Sequence, residues 1–211
     1  MHVVITGATG EIGKCLLPLL IDENNITKIT IVARRALDLD HPKLTQLITD
    51  FTQLSEAAIG DADCGVCCLG TTMAKAGSKT AFEQVDFDFV VAFAKLVKQS
   101  NATQFHVVSA SGANKTSFFF YNRVKGAMEE EIRNILFNTA CIYRPSLLDS
   151  NRTEKRLGEQ IAIRVFRVLN PLFIGSLKRF RSIRTSQVAL GIFNRIKQPP
   201  KGFHIVNSEV I

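Results

Sequence analysis

The chain has 211 residues, 46% hydrophobic and 21% charged, the balance of one globular domain long enough to bury most of its apolar surface. No apolar run approaches the ~18 residues of a membrane span, and the strand-like run that starts at His2 has no basic leader or cleavage site before it, so neither a membrane helix nor a secretory signal is expected. Five cysteines, an odd number with two adjacent, suit a reduced compartment better than a disulfide framework, and the expected location is cytoplasmic.

The first predicted strand, residues 2–6, runs into Gly7-Ala8-Thr9-Gly10-Glu11-Ile12-Gly13, and an amphipathic helix follows over 11–22. Alone, a GxxGxxG spacing is weak. Between an apolar strand and a helix it has a physical reason for each glycine: a tight turn, backbone approach to a pyrophosphate, and close packing of helix on strand. The free N–H groups at the helix start then favour phosphate. Gly7, Thr9, Gly10, Glu11, Ile12 and Gly13 are therefore candidate contacts to a dinucleotide. A second strand over 28–33 ends in Arg34-Arg35. An NAD site places an acid about 20 residues after the loop to hold the ribose 2′-OH. Arginine there suits a 2′-phosphate, so NADP(H) is expected in preference to NAD(H). The third strand, 46–49, is followed by Asp50, placed to accept from an adenine amino group.

A fourth strand over 62–69 contains Cys64, Cys67 and Cys68. Their spacing resembles CxxC, but a strand sends Cys64 and Cys67 to opposite faces, and likewise Cys67 and Cys68, so they suit a buried core and not one tetrahedral ion. Gly70 and Thr71, just beyond, are where the backbone can come close to a cofactor. Residues 79–99 carry apolar side chains at Phe82, Val85, Phe89, Ala92, Phe93, Leu96 and Val97, the spacing of one helix face. The fifth strand, 104–109, ends in Ser109-Ala110-Ser111, and a helix is predicted over 117–137, with Phe118–Phe120 as packing. On that helix Tyr121 and Lys125 stand i, i+4 and share a face. An ammonium beside a phenol lowers the phenol's pKa and makes it a usable acid for a carbonyl oxygen or base for an alcohol. Ser109 and Ser111 compete to hold the same oxygen. A sixth strand at 140–143, helices over 160–169 and 186–196, and a last strand at 203–206 complete the pattern. Strand–helix alternation with apolar strands predicts an α/β parallel sheet covered on both faces, with a small mainly helical C-terminal lobe, about 150–211, within a single domain 1–211.

GATGEIG at 7–13, Ser109 with Tyr121-xxx-Lys125, and Arg144-Pro145-Ser146 after the sixth strand resemble the short-chain dehydrogenase/reductase superfamily. Cys68–Thr72, Val85–Phe87, Val108–Ala113, Phe120–Glu129 and Arg144–Arg156 are similar to its atypical NAD(P)H-binding branch. The resemblance implies a Rossmann-type doubly wound sheet. It further implies NADP(H) held by the loop, Arg34, Arg35, Asp50, Leu69, Gly70, Thr71, Tyr121, Lys125, Arg144 and Pro145, and catalysis by Ser109, Tyr121 and Lys125, with Ser109 preferred to Ser111. Two departures stand out. Ala110 replaces a common serine or threonine, and the helix over 79–99 lacks a clear counterpart of the family's asparagine, with Asp86 near its place.

Residues 151–184 hold nine Lys/Arg against Glu154 and Glu159, the whole net charge of +7. They read as a cationic substrate lid, a patch touching anionic lipid or an acidic partner, or a packed lobe with solvated charges. No nucleic-acid motif accompanies them, and the histidines lack metal-type spacing. Two functions follow: an NADP(H)-dependent oxidoreductase acting on a small-molecule carbonyl or alcohol, or an NADPH-binding regulator with little turnover.

Overall fold

The computed structural model describes residues 1–54, 59–149 and 182–211. The helix predicted over 160–169 and nearly all of the basic segment lie outside them.

Seven parallel strands form one sheet in the order β3-β2-β1-β4-β5-β6-β9: β1 (His2–Thr6), β2 (Lys28–Ala33), β3 (Leu44–Ile48), β4 (Cys64–Cys67), β5 (Gln104–Val108), β6 (Thr139–Arg144) and β9 (Gly202–Asn207). Two short strands, β7 (Leu148–Asp149) and β8 (Ile183–Arg184), pair apart from it. The order reverses between β1 and β4, and the carboxyl ends of those neighbours form the crevice where doubly wound sheets bind ligands. Helices α1 (Glu11–Asp22), α2 (Met73–Ala76), α3 (Lys79–Glu83), α4 (Phe89–Gln99), α5 (Phe120–Asn134) and α6 (Thr185–Lys197) accompany the strands among the described residues.

The β1 and β4 strands are buried along their length, as a central parallel sheet requires. On one face Ile12, Leu16 and Leu20 of α1 meet Val188, Ile192 and Ile196 of α6 over Ile5, Cys64, Cys141 and Tyr143. On the other, Val90, Phe93 and Val97 of α4 join Met128 and Ile132 of α5 over Val4, Cys67, Val107 and Ile142. Cys64 and Cys67 thus lie in opposite core layers. Burial pushes the Cys67 thiol up to about 12. In the described C-terminal part, β9 extends the main sheet and α6 covers it.

The chain differs from its sequence pattern at two helices. Residues 79–99 are interrupted by a five-residue π-helical turn, Gln84–Asp88, which turns the carboxylate of Asp86 inward within an otherwise apolar face. Helix α5 begins at Phe120, not 117: Ser117 accepts the Phe119 N–H, and Arg123 ties down the carbonyls of Ser117 and Phe118. Phe118 and Phe119 consequently precede the helix and are exposed, whereas Phe120 packs on Phe82.

Candidate active site

The loop after β1 is shaped around its glycines. Gly7 has φ +75°, and a Cβ there would lie 2.4 Å from the Cys68 carbonyl carbon, so loop and strand β4 touch through backbone. A Cβ on Gly13 would lie 2.2 Å from the Gly7 oxygen, which seats α1 directly on its own loop. Thr9 and Gly10 are exposed, and Gly10 caps α1 without any side-chain acceptor. The N–H groups of the first turn, at Glu11 and Ile12, therefore face the crevice without a capping group. This is the arrangement that takes a pyrophosphate, and the residues fit one.

Arg34 and Arg35 follow β2 directly. Both are exposed, and neither forms an ion pair among the described residues. Asp50 is exposed two residues beyond the end of β3 and accepts the Thr52 N–H at 3.1 Å, capping a 3₁₀ turn, Phe51–Gln53. Across the crevice, Cys68 donates its N–H to the Thr6 carbonyl at 2.9 Å, after which Leu69 is half-buried and Gly70 exposed.

Behind Gly70 lies a buried charged cluster. Lys125 Nζ is 2.7 Å from Asp86 Oδ1, with side chains 4% and 1% exposed. Thr71 donates its backbone N–H to Asp86 Oδ2 at 2.8 Å. Tyr121, one turn before Lys125 on α5, is half-buried with its ring 5.3 Å from that of Phe82. Burial raises the Tyr121 pKa above its usual value; the ammonium of Lys125 opposes this and the carboxylate of Asp86 adds to it. The sequence expectation of a lowered phenol pKa is thus corrected: burial outweighs the ammonium, and the carboxylate beside it adds to the rise. Lys125 itself is held above its usual value, because attraction to Asp86 and Tyr121 outweighs the burial that would lower it.

The two serines differ in surroundings. Ser109, two residues past Val107 and on the same side of the sheet, points under α5 and donates to Glu129 Oε1 at 2.5 Å. Glu129 also receives Arg144 through Nε at 3.0 Å and Nη2 at 2.5 Å. Ser109, Glu129 and Arg144 form one network in which Ser109's proton and one edge of the Arg144 guanidinium are committed to Glu129. Ser111 is exposed and donates its backbone N–H to the carbonyl of buried Pro145 at 3.0 Å. With Gly112, Arg144, Asn207, Ser208 and Glu209 it lines a recess of about 340 Å³. The sequence reading assigned no role to Glu129 and none to Asp86. Each had a signal: Glu129 is the next i+4 position after Tyr121 and Lys125, and Asp86 is an acid within an apolar stripe.

A glycine loop at the switch point of a parallel sheet, followed by uncapped helix N–H groups, is the arrangement of a Rossmann-type dinucleotide-binding protein. Residues 7–162 match the family model described as NAD(P)H-binding, and the chain belongs to that family. It is 38% identical over 169 residues to Protein HTATIP2 of Rattus norvegicus, covering 78% of this chain and 69% of the rat protein. Protein fmp52, mitochondrial, of Aspergillus fumigatus is 30% identical over 166 residues, covering 75% of this chain and 71% of its own. In fold, the chain is similar to MoeE5 solved with UDP-glucuronic acid and NAD, with a TM-score of 0.73, 15% identity, and coverage of 98% of this chain and 76% of that one. Several fungal relatives are named as mitochondrial proteins, which overturns the expectation of a cytoplasmic location.

Proposed function

We propose that the protein is an NADP(H)-dependent oxidoreductase acting on a carbonyl or alcohol substrate. The observation that carries this reading is Tyr121 beside the buried Lys125 ammonium, opposite an uncapped glycine loop. A nicotinamide dinucleotide bound along that loop would supply or accept the hydride. The chain's own residues do the rest. First-turn N–H groups of α1 hold the pyrophosphate, and Arg34, with Arg35 beside it, pairs with a 2′-phosphate through its planar fork. Tyr121 gives its phenolic proton to the substrate oxygen in reduction and takes it back in oxidation. Lys125 holds positive charge beside that oxygen. Ser109 is committed to Glu129, which makes exposed Ser111 the better placed hydroxyl for the substrate oxygen. Asp50 and Leu69 to Thr71 border the adenine and nicotinamide ends.

For the basic segment at 151–184, its composition supports contact with an anionic membrane surface or an acidic partner.

The test is NADPH consumption across a panel of aldehydes and ketones, with Tyr121→Phe as control. Turnover lost in the variant while NADPH binding persists supports the reading. NADPH binding without turnover on any carbonyl, unchanged by Tyr121→Phe, would replace the enzyme with an NADPH-responsive regulator.

A further inference from the structure

Asp86 is the one carboxylate among the described residues with 0% exposure. Three elements converge on it: the π-helical turn that carries it, the Gly70–Thr71 backbone after β4, and Lys125 on α5. Both of its oxygens are engaged, one by the ammonium and one by an N–H. Gly70 has no side chain to intervene, and a Cβ there would stand 3.5 Å from Asp86 Oδ1 and 3.9 Å from Lys125 Nζ. The pair therefore lies directly behind the Gly70 backbone.

We propose that Asp86 is a positioning residue that keeps Lys125 an ammonium and Tyr121 a protonated phenol, so that the site rests as a proton donor. This deepens the oxidoreductase reading and rests on its Tyr121–Lys125 pair. The reasoning is a charge count in a buried cluster. With Asp86 ionised and Lys125 charged, the cluster is neutral only while Tyr121 keeps its proton; phenolate would leave one uncompensated negative charge away from water. Remove the carboxylate and the count reverses: ammonium with phenolate becomes the compensated state.

Among the described residues, the groups that face Tyr121 are few. On its own helix there is Lys125, with Arg123 turned to the carbonyls of Ser117 and Phe118. From the π turn there is Asp86. From α3 come the uncharged ring of Phe82 and, over the neighbouring Phe120 ring, Lys79 at 5.5 Å. From β4, the thiol of Cys67 faces Lys125 and Asp86 and stays neutral. Asp86 is the only carboxylate in this set of described residues. A resting phenol is the form that completes reduction of a carbonyl. Oxidation of an alcohol needs a base, and so waits for alkaline pH.

The chain has two tyrosines and no tryptophan, which makes phenolate absorbance a direct readout. Tyr143 is fully buried and burial holds its pKa far above the ordinary range, and Tyr121→Phe identifies the other step. The experiment titrates phenolate absorbance in folded parent and Asp86→Asn, without nucleotide or substrate. Asparagine keeps an oxygen for the Thr71 N–H. The expected result is a Tyr121 midpoint at least about one pH unit lower, a tenfold change in acidity. An unchanged or higher midpoint in a folded variant would overturn the proposal; Asp86→Ser carries the same test should the asparagine variant fail to fold. Because the titration needs no cofactor, it can fail while the oxidoreductase reading stands, and the reverse.

Discussion

Replacing Lys125 with methionine keeps a long apolar stem and removes the ammonium from a site where its partner is fully buried. At 2.7 Å, with an effective dielectric of about 20, the attraction lost is about 6 kcal/mol. Part of that is offset, because the cost of desolvating the lysine disappears too. Breaking a buried pair on one side nets about 3–5 kcal/mol of destabilisation. For a chain of this size that corresponds to a fall of roughly 10 °C in melting temperature. The cause would be the orphaned carboxylate, so a double variant, Asp86→Asn with Lys125→Met, should recover much of the loss despite carrying one more substitution. Thermal unfolding followed by circular dichroism reads both. A Lys125→Met protein that melts with the parent would refute the reasoning, as would a double variant no more stable than the single one.

His106 gives a pH signature. Its ring is fully buried against the Tyr143 hydroxyl at 3.0 Å, and burial, helped by Arg195, pushes its pKa down to about 3. Below the unfolded value of about 6.5 the unfolded chain binds a proton that the folded chain refuses, so stability falls as the pH drops, by about 1.4 kcal/mol per unit and about 2 kcal/mol at pH 5. Urea unfolding at pH 7, 6 and 5 should show this decline, with His106→Gln flattening it. His2, also lowered by burial, adds in the same direction. For the serines, Ser109→Ala should cost stability by leaving Glu129 short of a donor, about 1–3 kcal/mol, while Ser111→Ala should lower kcat/KM with little change in melting. The opposite pattern would return the catalytic role to Ser109.

Much of the fold was legible because its signals are local. Strands β1 and β2 and helix α1 fall where apolar runs and Gly7, Gly10 and Gly13 place them. That Tyr121 and Lys125 share a helix face followed from their i, i+4 spacing, and the reading of a site there drew also on the upstream glycine loop and the strand ending in Ser109. What escaped depends on partners distant in sequence. An apolar 3.6-residue pattern over 79–99 does not announce a π turn, so the inward position of Asp86 and its pairing with Lys125, 39 positions away in the chain, became visible only in three dimensions. Ser109 lies two residues past Val107, on the same side of the sheet and under α5. What the sequence did not show was that Glu129 and Arg144 wait there. The location was misjudged because cysteine count reports redox environment and not address: a reduced interior is compatible with more than one compartment.

Calorimetric titration of the chain with NADPH and NADH, repeated on Arg34→Ala, tests the central claim most directly. The account predicts NADPH binding tighter than NADH by tenfold or more, about 1.4 kcal/mol, with Arg34→Ala bringing the two together. Equal or tighter binding of NADH to the parent chain would contradict it, and binding of neither would remove the proposed oxidoreductase.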